Sequence, residues 1–130
     1  MYKIEKTDYG AKLTFDGFIR QEEMAKWVTE SIQFIHSMPS KFGVLVDMRG
    51  LKPLSHDAEM EMQKGQKLYK DKGMERSAVI LANSVTTMQF KRIAQETGIY
   101  QWERYIDSSK VTSWEEVSKN WITKAVDPDK

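Results

Sequence analysis

The feature that most constrains the fold is an alternation of short apolar runs and amphipathic helical segments along the chain. Residues 42–48 form a continuous apolar run, which is typical of a strand buried on both faces of a parallel sheet. Residues 21–38 repeat apolar side chains at three- and four-residue spacing, which predicts an amphipathic helix. Its predicted inner stripe comprises Met24, Trp27, Val28, Ser31, Ile32, Ile35 and Met38. Such an alternation favours an α/β domain with a largely parallel sheet.

The remaining segments continue the same alternation. Residues 1–5 and 11–19 are predicted strands, and the turn residues 8–10 between them indicate an antiparallel hairpin. After the central run we expect a loop at 49–54 and then a helix that is capped by Ser55 and ended by Gly73. A strand at 77–82 and a helix from Asn83 or Ser84 to Gly98 follow. The chain then continues with a strand at 100–106 and a last helix, which has Ser113 and Glu116 as a capping box. The predicted order is β-β-α-β-α-β-α-β-α, in a mixed, mostly parallel sheet with an antiparallel first strand.

Length and composition exclude several classes of protein. The 130 residues suit one domain, which we place at residues 1–125 with a flexible tail at 126–130. Twenty basic and nineteen acidic residues give a net charge of +1, without the basic excess that usually accompanies nucleic-acid binding. No apolar run approaches the length of a membrane span, and the absence of cysteine excludes disulfides and thiol catalysis. These features predict a cytoplasmic protein without a membrane span.

Three segments carry a resemblance to a known group of proteins. Residues 44–50 look like a central strand that ends in an acidic residue and a loop, and residues 77–83 look like the strand that follows it. Residues 104–107 with 113–122 look like a closing strand and helix. With the predicted element order, the chain resembles the STAS-like group, which has the SpoIIAA-like fold and includes bacterial anti-sigma-factor antagonists. The resemblance implies a compact fold used for protein docking, for regulation by phosphorylation or, in some members, for binding apolar ligands.

Ser55 is the residue to which the resemblance gives a role. In the antagonists a phosphorylatable serine lies where the helix after the central strand begins, and Ser55 is its nearest match. The group's usual Asp-Ser-Ser-Gly-like string is missing, and Leu51 to Leu54 makes the loop longer than the classical one, which indicates a less familiar branch of the group. From the residues alone, Ser55 is a helix cap. The adjacent His56 and Asp57 do not make it a hydrolase relay, because consecutive side chains diverge along the backbone.

Other candidate site residues follow from position. Asp47 and Arg49 end the central strand, and ligands of parallel sheets gather at the carboxyl ends of the strands. Without a ligand, we expect Asp47 to accept hydrogen bonds from loop amides. His36 and His56 lie twenty residues apart on different elements, so we predict neither a metal site nor a cofactor. Met60 and Met88 are candidate contact residues, since methionine is adaptable at binding surfaces.

These observations favour one function over two others. The first hypothesis is a non-enzymatic binding or regulatory module that docks a protein partner near Ser55. Its candidate binding surface comprises Asp47, Arg49, His56, Met60 and Met88. The alternative is a domain that binds a small apolar molecule or lipid in a cleft between helices. An enzyme that uses Asp47, Arg49 or His56 is the third, and no catalytic motif supports it. Homodimer formation stays open.

Overall fold

The computed structural model describes all 130 residues of the chain. It contains five strands, four α-helices and one 3₁₀ turn at Tyr100–Trp102. The elements in chain order are β1 (Tyr2–Lys6), β2 (Gly10–Gly17), α1 (Gln21–Ile35), β3 (Phe42–Leu51), α2 (His56–Asp71), β4 (Met74–Leu81), α3 (Ser84–Thr97), β5 (Glu103–Asp107) and α4 (Trp114–Lys124).

The strands form one sheet in the order β1-β2-β3-β4-β5. β1 is antiparallel to β2, and every later pair of neighbours is parallel. The hairpin turn between β1 and β2 is closed by reciprocal backbone hydrogen bonds between Thr7 and Gly10. Gly10 has a φ of 145°, and a Cβ there would lie 2.1 Å from the carbonyl oxygen of Gly43, so only glycine fits beside β3. The predicted α/β architecture with an antiparallel first strand is confirmed.

The side-chain alternation of β3 divides the core into two layers. Val44, Val46 and Met48 point to the face covered by α1, α2 and α3, where the main hydrophobic cluster comprises 20 buried residues. Leu45 points to the opposite face, which α4 covers, and belongs to a smaller cluster of six that includes Trp121 and Ile122. Burial of a strand on both faces explains why its sequence is a continuous apolar run.

Trp27 is the centre of the larger layer. Its ring meets Phe15 of β2 edge-on, with centroids 5.1 Å apart, and stacks on Tyr69 of α2 with centroids 5.8 Å apart and an interplanar angle of 8°. The indole edge also lies against Gly65, where a Cβ would come within 2.0 Å of it. Burial raises the pKa of Tyr69 to about 12, and the neutral hydroxyl pairs with Ser31 at 2.8 Å. These contacts hold α1, α2 and the sheet in one arrangement.

The inner stripe of the first helix differs from the prediction at one residue. Trp27 and Ser31 are buried as expected, but Ile32 is 43% exposed. The residues Met24, Trp27, Ser31 and Ile35 share one side of α1, and Ile32 lies about 100° around the helix from Ser31. The helix also ends at Ile35 rather than Met38. The prediction that Ile32 is buried was therefore wrong.

Several boundaries also depart from the sequence prediction. β3 continues to Leu51 because Gly50 and Leu51 pair with the end of β2 beyond a bulge, so the predicted loop at 49–54 shrinks to residues 52–55. β4 begins at Met74, which pairs with Phe42. Tyr100 to Trp102 form a 3₁₀ turn instead of the start of a strand. The predicted capping box at Ser113 is absent, since its side chain makes no capping bond.

We predict that Gly65→Ala destabilises the fold although alanine is the better helix former. The helix preference is worth about 1 kcal/mol in favour of alanine. The new methyl group must displace the buried Trp27 ring, which costs about 1–3 kcal/mol from strained packing and offsets that gain. Chemical denaturation followed by Trp fluorescence measures the difference. Lys67→Ala, at an exposed position of the same helix, is the matched control and should change stability by less than about 0.5 kcal/mol.

Candidate functional site

Four exposed apolar side chains lie at the carboxyl edge of the sheet. They are Phe18, Met60, Val85 and Met88, which are 65%, 46%, 59% and 73% exposed. Phe18 directly follows β2, Met60 lies in the first turns of the helix after β3, and Val85 and Met88 lie in the first turns of the helix after β4. Since β2, β3 and β4 are parallel neighbours, these positions share one edge. We call the four residues the carboxyl-edge patch.

Hydrogen bonds fix the two helices of this patch relative to each other. The Gln89 side chain of α3 accepts a hydrogen bond from the Leu54 backbone N–H and donates to the Leu54 carbonyl, each at 2.9 Å. Gln89 also donates to Glu59 in the first turn of α2, and Arg92 pairs with the same carboxylate. The start of α2, which carries Met60, is therefore held against α3, which carries Met88.

The loop carrying Phe18 is tied to the same edge. The Lys52 backbone N–H donates to the carbonyl of Gly17 at 3.0 Å, which joins the end of β2 to the exit of β3. Gly17 has a φ of 74°, in the left-handed region, and this turns the chain outward just before Phe18. Phe18 is exposed, while the next residue, Ile19, is buried and anchors the loop.

Ser55 caps α2, as predicted. Its hydroxyl oxygen accepts a hydrogen bond from the Ala58 backbone N–H at 3.2 Å. Ser55, His56 and Asp57 are all exposed at the start of the helix, beside the carboxyl-edge patch. The hydroxyl of Ser55 is thus occupied with helix capping, and its role as a phosphoacceptor stays a prediction.

Asp47 and Arg49 lie away from this group, on the α4 face of the sheet. The Arg49 guanidinium donates to both carboxylate oxygens of Asp47, at 3.0 and 2.8 Å, and its backbone N–H also donates to Asp47. Burial favours a raised pKa for Asp47, but these bonds outweigh it, so the pKa of Asp47 is lowered. The guanidinium also stacks over Trp114 of α4, 4.4 Å from the ring centroid. The pair thus packs the smaller core layer.

The structure brings together some of the predicted site residues and adds two others. Ser55, His56, Met60 and Met88 share the carboxyl edge, whereas Asp47 and Arg49 do not join them. Phe18 and Val85 were missed from sequence. Val85 lies two residues after the helix cap Asn83 and outside the predicted inner stripe of α3, so its exposure could have been predicted from the sequence. Phe18 lies between Gly17 and a buried residue, where no periodicity indicates which way it points.

A buried carboxyl group forms a second polar cluster. Glu103, at the start of β5, is 5% exposed and has no cation beside it. Ser77 Oγ donates to one carboxyl oxygen at 2.7 Å, and the Tyr105 hydroxyl lies 2.6 Å from the other. The Tyr105 hydroxyl is also 3.2 Å from the Phe90 carbonyl. Burial raises the pKa of Glu103, despite the lowering effect of Tyr105 and Ser77. In its neutral form Glu103 donates to Tyr105, and Tyr105 donates to Phe90, so every group is satisfied.

An internal cavity adjoins Glu103. It is lined by 15 residues, 12 of them hydrophobic, and lies between the sheet and the helices α1 to α3. Its volume is about 30 Å³. That is room for about two water molecules, far below the roughly 300 Å³ of a small-molecule site.

The chain matches no protein-family model, no curated protein and no solved structure at a significant level. None of the four helices has the length and the apolar run that crossing a membrane requires. No three His, Asp or Glu side chains are grouped so that they could hold a metal ion. The candidate site therefore rests on the geometry of the carboxyl edge.

We predict that Ser55→Ala destabilises the fold by about 1 kcal/mol, because the cap of α2 is lost. Ser55→Asp should restore stability close to that of wild type, because an aspartate caps the helix and its charge favours the positive end of the helix dipole. Thermal unfolding of the three proteins measures this. Equal stability of Ser55→Ala and wild type would contradict the capping bond to Ala58.

We predict that Glu103 makes stability depend on pH. Since its pKa is raised on folding, the stabilisation by the neutral carboxyl is complete below the ordinary glutamate pKa and is lost as the pH rises through the raised value. Glu103→Gln keeps a neutral hydrogen-bonding group and should gain stability relative to wild type as the pH rises. Urea unfolding at a series of pH values measures the difference. Glu116→Gln, at an exposed position, is the control, and a pH-independent difference for Glu103→Gln would contradict the assignment.

Proposed function

We propose that this chain is a non-enzymatic, STAS-like docking module that binds a protein partner through the carboxyl-edge patch. The observation that carries the proposal is that four exposed apolar side chains follow three neighbouring parallel strands at one edge of the sheet. Exposed apolar groups gathered on one surface are typical of interaction sites. The order of elements, with its antiparallel first strand, agrees with the resemblance to the SpoIIAA-like fold.

The rigidity of the patch supports docking of a folded partner. Gln89 and Arg92 hold α3 against the first turn of α2, so Met60 and Met88 keep their spacing without a partner. A surface that is ordered in advance loses little conformational entropy on binding. The two methionine side chains of the patch adapt to the shape of the bound surface.

Ser55 gives the proposed surface a means of control. A phosphate on Ser55 would lie at the positive end of α2, within the same edge as the patch. It would add about −1.5 to −2 charges next to the apolar side chains and weaken the binding of an apolar partner surface. The capping role and this regulatory role are compatible, because both use the position of Ser55 at the start of the helix.

The alternative, a domain that holds a small apolar molecule or lipid between helices, finds less support. The cavity between the sheet and helices α1 to α3 is apolar, but its 30 Å³ leaves no room for an acyl chain. A ligand would have to separate α2 from α3, which Gln89 and Arg92 hold together. Organic extraction of the purified protein followed by mass spectrometry tests this alternative directly.

The test of docking uses a photo-crosslinking amino acid at position 60 or position 88 of the full chain in its native cells. We expect the same partner to be attached at both positions. The purified partner should then bind the purified chain, and Val85→Glu should weaken that binding at least tenfold, since one charge desolvated in an apolar contact costs more than 1.4 kcal/mol.

Ile32→Glu is the matched control for Val85→Glu. Ile32 is an exposed apolar residue on α1, outside the patch, so this variant introduces the same charge without touching the proposed surface. It should bind the partner as wild type does. Different proteins attached at positions 60 and 88, or equal weakening by both variants, would overturn the proposal.

A further inference from the structure

The second edge of the sheet has backbone groups without partners. β5 pairs with β4 on one side and has no strand on the other. Ser108 donates its backbone N–H to the carbonyl of Leu81, so the residues of the same parity, Arg104 and Ile106, also direct their backbone groups to β4. The backbone groups of Glu103, Tyr105 and Asp107 therefore point away from the sheet.

Three of these six outward groups are satisfied locally, and three are not. The Glu103 N–H donates to the carbonyl of Tyr100, and the Glu103 carbonyl accepts from the Arg104 guanidinium at 3.0 Å. The Asp107 carbonyl accepts from the backbone N–H groups of Lys110 and Val111. The N–H and carbonyl of Tyr105 and the N–H of Asp107 are left to face the free edge. Such a row of groups pairs with another strand.

Grooves run along both sides of this edge. On the α3 side, a groove of about 380 Å³ is lined by Lys91, Tyr100 and Tyr105, among others. On the α4 side, a groove of about 420 Å³ is lined by apolar residues such as Ile106 and Val126. An extended peptide on β5 would place alternate side chains into the two grooves, because successive side chains of a strand point to opposite faces.

The charges of the groove on the α4 side indicate which side chain it accepts. Asp107, Asp127 and Asp129 line it, with Lys130 as its one basic lining residue. Arg104 donates to both oxygens of Asp127, at 2.9 and 3.1 Å, and its Nε also lies 3.7 Å from a carboxylate oxygen of Asp129. Arg104 and Lys130 offset two of the three carboxylates, and Asp107 forms no ion pair, so one negative charge remains in excess to attract a cation.

We infer that the free edge of β5 binds an extended peptide of a partner protein by strand addition, with a basic side chain in the groove between β5 and residues 126–130. Main-chain hydrogen bonds to Tyr105 and Asp107 supply the attachment, and the two grooves supply the selectivity. The inference does not depend on the carboxyl-edge patch.

The test titrates the full chain with the acetylated, amidated pentapeptide Thr-Val-Lys-Val-Thr and follows backbone amides by NMR. We expect the largest shifts at Tyr105 and Asp107 and slower hydrogen exchange of their N–H groups. The same peptide with its backbone nitrogens methylated should bind roughly tenfold more weakly, because the main-chain hydrogen bonds are lost. No shift at these two amides at millimolar peptide, or equal binding of the methylated peptide, would overturn the inference.

A pair of charge variants tests the groove on the α4 side. Asp129→Lys should weaken binding of the pentapeptide about threefold, as expected for one exposed charge pair. Asp71→Lys, an equal charge change at the exposed end of α2, should leave it unchanged. Equal effects of both variants would show that only net charge matters and would overturn the assigned groove. Slow hydrogen exchange of the Tyr105 amide in a dimer formed without peptide would show that a second copy of the chain occupies the edge. That result would also overturn the inference.

Discussion

The packing of Trp27 against Gly65 determines how the helical layer lies on the sheet. The ring contacts Phe15 of β2 on one side and Tyr69 of α2 on the other, so one side chain joins three elements. Gly65 allows the backbone of α2 to approach the ring more closely than any other residue would. The buried indole N–H lies close enough to the Tyr69 hydroxyl to lower the pKa of that hydroxyl, but it does not reach hydrogen-bond geometry. The position of α2 that results sets where Ser55 and Met60 lie.

The two faces of the sheet have different roles because side chains alternate along β3. The face under α1, α2 and α3 leads to the carboxyl-edge patch, while the α4 face is closed by polar contacts that are internal to the fold. Trp121 donates its indole N–H to the carbonyl of Ser77, and Arg76 donates to the carbonyls of Trp121 and Ile122 near the end of α4. Asp47 and Arg49 belong to this closed face. Successive side chains of β3 alternate between the two faces, so these two residues point away from the face that α2 covers.

Much of the fold could be predicted from the sequence because its signals are local. Helix periodicity is contained within one element, and the caps Ser55 and Asn83 and the glycine Gly98 at the end of α3 act within one turn of chain. The prediction failed where distant residues decide, since β3 continues to Leu51 only through its pairing with the end of β2. The candidate site follows the same division. Met60 and Met88 could be identified because they lie off the inner stripes, whereas the cluster of Glu103 with Ser77 and Tyr105 joins neighbouring strands and leaves no periodic signal.

Helix α3 lies between the two proposed binding surfaces and is held on both sides. Gln89 and Arg92 tie it to the start of α2, and the Phe90 carbonyl meets the hydroxyl of Tyr105 from β5. A peptide on β5 would use the backbone of Tyr105, which leaves this side-chain contact intact. A partner on the patch would contact Met88 and Val85 on the outer side of α3, which leaves the clamp to α2 intact. Neither event has to break a bond that holds α3. Met88 nevertheless lines one groove together with Tyr105 and Asp107 of β5, so partners on the two surfaces would compete for the space beside α3.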